Sequence, residues 1–339
     1  MSMEFRVETN IGYSRAGHVY FNKPTQVEND KAFNLISAEC YDLLTKKYGD
    51  WIVAKYRLDE ALGYLKDSNT AFHMLVLKHI AELAKEKNDI VICRSSSSII
   101  EYLLDITIVD PLPPHYICPA CKRIEMREDV ADGFDLQPQK CSVCGTDMTR
   151  NGHDCSESIG WSSKWNSMKS YDILVTETTL CHLQKHLSSC LSEIDSDSSC
   201  YCSVAFSTPL DFNCLNVLQR VTDKCLHQIP MDEKTVWTHS LQNFLENRES
   251  GIELPTNCLI SFHDLLQVIG LEMSHYREKQ YGMINKPYCA TFRDFDKTQI
   301  TYLFPKASCV NIAMQLYYMM WYENNYPNEY EVLMKELEA

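Results

Sequence analysis

The chain has 339 residues, 45% of them hydrophobic, and a formal net charge of −14. That hydrophobic share supports a sizeable core and excludes a disordered chain, while the acidic balance opposes general affinity for phosphate backbones, which depends on clustered Lys and Arg. Its 16 cysteines are scattered, the N-terminus lacks the apolar run of a signal peptide, and the longest apolar stretch, near Ala313 to Tyr322, is too short for a bilayer; reduced thiols and a cytoplasmic setting are expected.

Residues 1–30 carry no assignable motif and stand as an unassigned leader. From Thr70, read as an N-cap, the apolar residues Phe72, Leu75, Val76, Ile80 and Leu83 form one stripe with Lys78, Glu82 and Lys85 opposite, which predicts an amphipathic helix. Ile90 to Cys93 reads as a strand, and the serines of the following RSSSS run read as the N-cap of a helix from Ile99 to Leu104. Further on, Ser261 and Asp264 form a capping-box-like start for FHDLLQVIG, with an end expected at Gly270. After Pro305 a long helix runs towards Asn325 carrying Met314, Leu316, Met319, Met320 and Trp321, and Pro327 breaks it before a last acidic helix. The Met and aromatic stripe reads as core, with a partner groove as the alternative.

Two CxxC pairs, Cys118 with Cys121 and Cys141 with Cys144, are separated by 19 residues. That spacing suits two knuckles clasping one Zn²⁺, and four thiolates fill a tetrahedral ion completely, so the site is read as structural. Gly145 suits the tight turn after the second pair. A redox pair is disfavoured, because neither CxxC opens a helix. A rival constellation, Cys181, His182, His186 and Cys190 in CHLQKHLSSC, precedes the acidic SEIDSDSS linker and then Cys200 and Cys202. His182 and His186 share a helical face and suit one ion, but Cys190 joins only with distortion. A helix with core cysteines and exposed histidines is the preferred reading.

With the run Pro111, Leu112, Pro113, Pro114, His115, Tyr116 before the first CPxC, the chain resembles the PolC-type DNA polymerase III alpha subunit of Gram-positive bacteria. Further blocks match in the same order: Tyr48, Gly49, Arg57, Leu58 and Leu62; Arg94; Gly133 to Leu136; Gly152, His153 and Asp154; IPMDEKTV from Ile229; SFHDLLQVIGL from Ser261; and YLFPKA from Tyr302. The resemblance covers most of residues 38–335, with large deletions between blocks, and contains nothing like the family's exonuclease or PHP domain. It implies an α+β fold, predominantly helical, with a small polymerase-palm-like sheet and an inserted four-cysteine zinc knuckle. The expected division is a palm-like part over 31–116, a zinc-binding insertion over 117–154, a truncated palm segment and acidic linker over 155–200, and a helical fingers-like part over 201–339.

The resemblance also implies where catalysis would sit. The family's Asp-x-Asp pair, which holds Mg²⁺, falls on Asp172 and Leu174, so the second acid is an apolar side chain that cannot ligate a hard cation. The third acid falls on Ala205, with Asp211 nearby as a competing register. The family's glycine-rich phosphate loop keeps Arg94 and Ser96 but has Ser95 and Ser98 where glycines are expected, which fits a triphosphate poorly. Ser308 replaces a histidine after FPKA. The preferred reading is a pseudo-polymerase without Mg²⁺ chemistry that binds a replication protein or another copy of itself. The alternatives are a nucleic-acid-binding accessory, and residual nucleotidyl transfer using Asp172 with Asp154 or Asp211.

Overall fold

The computed structural model describes residues 4–11, 14–22, 24–93, 97–156, 161–162, 169–190, 201–207, 210–233, 235–237, 261–281 and 306–338. The chain starts with strands β1 (Glu4–Ile11) and β2 (Ser14–Asn22), followed by helices α1 (Gln26–Tyr48), α2 (Ile52–Asp67) and α3 (Ala71–Glu86). Thr25 and Glu28 start α1 with a reciprocal capping box, and Gly49 ends it at φ +61°. The expected helix after Thr70 is α3, but Thr70 does not cap it through its side chain; its hydroxyl pairs instead with Ser68 Oγ at 2.7 Å. The Phe72 N–H donates to Asn29 Oδ1 at 3.0 Å, so α1 supplies the cap from across the interface.

Strand β3 (Ile92–Cys93) leads to the short helix α4 (Ile99–Leu103), where Ser98 is the N-cap and accepts from the Ile100 N–H at 3.2 Å. A three-stranded antiparallel sheet follows, with β4 (His115–Ile117) between β5 (Ile124–Met126) and β6 (Thr149–Asn151). The short strands β7 (Trp161–Ser162) and β8 (Lys169–Ser170) pair with each other. Next come β9 (Asp172–Leu174), α5 (Glu177–Cys190) and β10 (Tyr201–Ser207). The last helices are α6 (Leu210–Thr222), α7 (Phe262–Tyr281), α8 (Lys306–Asn325) and α9 (Pro327–Glu338).

Ser261 starts α7 as expected, accepting from the Asp264 N–H at 3.1 Å and donating to its carboxylate at 2.7 Å. The helix does not end at Gly270. Val268, Ile269 and Gly270 are buried, and an interior glycine costs a helix only about 1 kcal/mol, less than the packing retains. Pro327 sits at the first position of α9, where its missing N–H costs nothing.

The larger sheet has the order β1-β2-β10-β9-β3. β1, β2 and β10 form an antiparallel meander of pairings, β9 runs parallel to β10, and β3 is antiparallel to β9. Strands from the leader and from the start of the 201–339 part therefore join one sheet with β9, and α5 is the crossover between the parallel pair. One core lies among α1 to α5, built on Ile36, Leu58, Phe72, Ile80, Ile100, Tyr171 and Ile173. A second lies among α6, α7 and α8, around Leu215, Phe262, Leu265, Val310 and Tyr317. Met314, Met320 and Trp321 are buried in the second core, and Leu316 and Met319 pack against it, so the stripe on α8 is core. Among the described residues no helix is long and apolar enough to cross a membrane.

Candidate metal centre and the adjoining sheet

Both CxxC pairs fold into the same turn. In the first, between β4 and β5, the Cys118 N–H donates to Arg123 O at 2.9 Å and the Lys122 N–H to Cys118 O at 3.0 Å. The second repeats this, with Cys141 N–H to Thr146 O at 2.8 Å and Gly145 N–H to Cys141 O at 2.9 Å. The residue after each second cysteine is left-handed, Gly145 at φ +74° and Lys122 at +59°. Gly145 takes that conformation freely; Lys122 holds it at a cost of about 1 kcal/mol.

The four sulfurs converge, with every pair within 4.8 Å. Cys118 and Cys144 are 3.3 Å apart, Cys121 and Cys141 3.5 Å, and Cys121 and Cys144 3.8 Å. A tetrahedral ion at roughly 2.3 Å from each thiolate sets the sulfurs about 3.8 Å apart, so the cluster fits Zn²⁺ with small adjustments. The cluster favours thiolate at some positions: a hydrogen bond with the Thr146 side chain, then its backbone N–H and the Cys118 thiol, hold Cys144 at about 6. Backbone N–H groups of Cys144 and Val143 lower Cys141 as well.

The module is rooted by contacts that admit no extra atoms. The Gly133 N–H donates to Gly152 O at 2.7 Å, and a Cβ on Gly133 would stand 2.0 Å from Asn151 O. Gly152 has φ +97°, and a Cβ there would lie 2.2 Å from Pro113 O. Beside them the fully buried Asp132 and His153 pair at 2.8 Å. Buried Asp110 accepts from Tyr48 OH at 2.6 Å and from the Leu112 N–H at 3.0 Å, while Arg57 donates to Cys155 O at 3.1 Å. The family-like blocks at Tyr48, Pro111, Gly133 and Gly152 thus converge on one junction.

Asp135 extends that junction to the second core. Its carboxylate accepts the N–H groups of Phe262 at 2.6 Å and His263 at 3.0 Å, capping α7 from far along the chain. Phe134 stands edge-on to His153 and Phe262, at 4.7 and 5.0 Å between centroids. Burial outweighs the two backbone donors and raises the Asp135 carboxyl to about 6. Sequence reading placed Asp135 in the GFDL block without a role, because a cap supplied by a remote loop leaves no local spacing signal.

In the larger sheet, Asp172 is the register partner of Ala205 and Leu174 of Ser207. Leu174 is 3% exposed and packs with Ile92 and Phe212. The Asp172 and Asp211 side chains, Arg94, Ser95, Ser96, the SEIDSDSS linker, Cys200, the Cys190 and Cys202 side chains and residues 301–305 lie outside the described residues and side chains. Ser308 is half-buried on the first turn of α8. In the rival constellation Cys181 is exposed, contrary to a core cysteine, while His182 is exposed as expected, with Nδ1 3.0 Å from Thr178 O. His186 turns towards α3 and groups with His79 and Glu82.

No family model matches the chain. Over part of its length it is similar to PolC-type DNA polymerases III. It is 35% identical over 113 residues to the DNA polymerase III PolC-type of Thermotoga petrophila, and 35% identical over 120 residues to that of Staphylococcus saprophyticus. These matches take in 32% and 34% of the chain, and each spans 8% of the relative. A shorter stretch of 58 residues, 17% of the chain and 4% of the relative, is 48% identical to the PolC-type polymerase of Ureaplasma parvum. The matched stretches therefore span less than a tenth of the length of these curated relatives.

Proposed function

We propose that the chain is a catalytically inactive, PolC-like bacterial module that acts in DNA replication through protein contacts, in a cytoplasmic setting. One observation carries the reading: at the position the resemblance gives to the second metal-binding Asp, Leu174 is a core residue packed on Ile92 and Phe212. Two Mg²⁺ ions need converging carboxylates in a wet cleft, and an apolar side chain sealed in a core supplies neither oxygen nor access. The Asp172 and Ala205 register is consistent with loss of the third acid.

On this reading the four cysteines hold a structural Zn²⁺ that keeps the junction rigid, and the division into palm-like, zinc-binding, truncated and fingers-like parts describes a remnant scaffold. Arg94 and Ser96 are relics of the phosphate loop; the partner is a replication protein of the same cell or a second copy. The test is affinity capture of the full chain from its host with nuclease treatment and mass spectrometry. Retention of a replication protein, or of a differently tagged copy, after nuclease supports the reading. Capture of nucleic acid alone, lost as salt rises, replaces it with a nucleic-acid-binding accessory.

A further inference from the structure

A second group of metal-type ligands lies where α5 packs on α3. His79 and Glu82 are neighbours on α3, three residues apart, and His186 reaches them from α5. One donor atom from each lies within 4.8 Å of the other two. His79 Nδ1 is 2.8 Å from Glu82 Oε2, and the two imidazole rings are 6.3 Å apart at 67°. Glu82 divides its oxygens: Oε2 faces His79, while Oε1 takes the Lys78 ammonium, which also reaches Glu39 at 3.3 Å. The carboxylate is therefore oriented through one oxygen while the other faces the imidazoles, as outer partners orient metal ligands.

We propose that His79, Glu82 and His186 bind one divalent transition-metal ion of the Zn²⁺ class, clasping α5 to α3. Two imidazoles and a carboxylate suit Zn²⁺ and its neighbours and disfavour Mg²⁺ and Ca²⁺, which prefer oxygen throughout. Three protein donors leave a fourth tetrahedral position for water, and Glu82, with its side chain 45% exposed, keeps that position open to solvent. The site is independent of the four-cysteine cluster and of the proposed loss of catalysis. Because α5 connects the parallel strands β9 and β10, an ion here steadies the crossover of the larger sheet.

The test is metal content of the full chain after stripping and dialysis against micromolar Zn²⁺, read by mass spectrometry, together with thermal melting. Wild type is expected to bind a second equivalent beyond that of the cysteines and to melt at higher temperature when it is present. His186→Gln and Glu82→Gln are each expected to lose the second equivalent and its thermal shift while keeping the first. An equal zinc content in wild type and both variants would mean that the three side chains are only a hydrogen-bonded helix face, and would overturn the proposal. Cys141→Ser provides the reciprocal loss; should it fail to fold, the two α3 and α5 variants still decide the question.

Discussion

Asp172 and Ala205 face each other across the parallel pairing of β9 and β10. If the resemblance to PolC-type polymerases is carried over by position, both should be carboxylates. A methyl group stands at one, and two residues along β9 the remaining carboxylate position is Leu174. Leu174 is part of the contact between the sheet and α6, so a carboxylate at this position would be buried against apolar side chains.

Replacing that leucine tests the point. Leu174→Asp places a carboxylate in a site that is 3% exposed and lined by Ile92 and Phe212. An unpaired buried charge costs about 3 to 5 kcal/mol, so the urea midpoint is expected to fall by that equivalent and primer extension to stay absent. Robust extension by Leu174→Asp would contradict the account.

Zinc removal is expected to act on a defined part of the fold. Structural Zn²⁺ is worth roughly 10 to 16 kcal/mol in small peptides, so chelation or Cys141→Ser should disorder residues 115–150 and expose them to proteolysis. A metal-free preparation with unchanged melting and protease resistance would refute a structural role.

The glycines at the root of the module should tolerate no side chain. Gly152→Ala adds left-handed strain to an overlap with Pro113, and Gly133→Ala drives a Cβ into the Asn151 carbonyl. Overpacking in both variants, with left-handed strain added in Gly152→Ala, is expected to cost about 3 kcal/mol or more, measured by chemical denaturation.

Asp135 gives a pH signature. Its carboxyl is raised from 3.8 to about 6 in the fold, so its contribution is fully present below pH 3.8 and is lost as pH rises through 6. Wild type should therefore gain about 2 kcal/mol over Asp135→Asn between pH 7 and pH 4, after allowance for partial exposure. A stability difference that is flat with pH would show that burial does not dominate at this cap.

What the sequence revealed and what it concealed divide by range. The knuckles, the Ser261 start of α7 and the Ser98 cap of α4 are local, and residue spacing alone announces them. Thr70 stands at the N-cap position of α3 as read, but its side chain does not cap, because Asn29, on another helix, takes the Phe72 N–H; the Gly270 expectation failed because burial outweighed a propensity of about 1 kcal/mol. Sequence spacing could weigh His186 only with its neighbours Cys181, His182 and Cys190, a grouping it disfavoured; packing of α5 on α3 brings His186 to His79 and Glu82. The leader carried no motif, yet its strands complete the larger sheet through backbone pairing, which composition does not signal.

The central claim is the absence of polymerase chemistry, and single-nucleotide incorporation on a primed template tests it most directly. With purified full chain, all four dNTPs and either Mg²⁺ or Mn²⁺, the account predicts no primer extension above the buffer control, for wild type and Asp172→Asn alike. Extension by wild type that Asp172→Asn abolishes would contradict it.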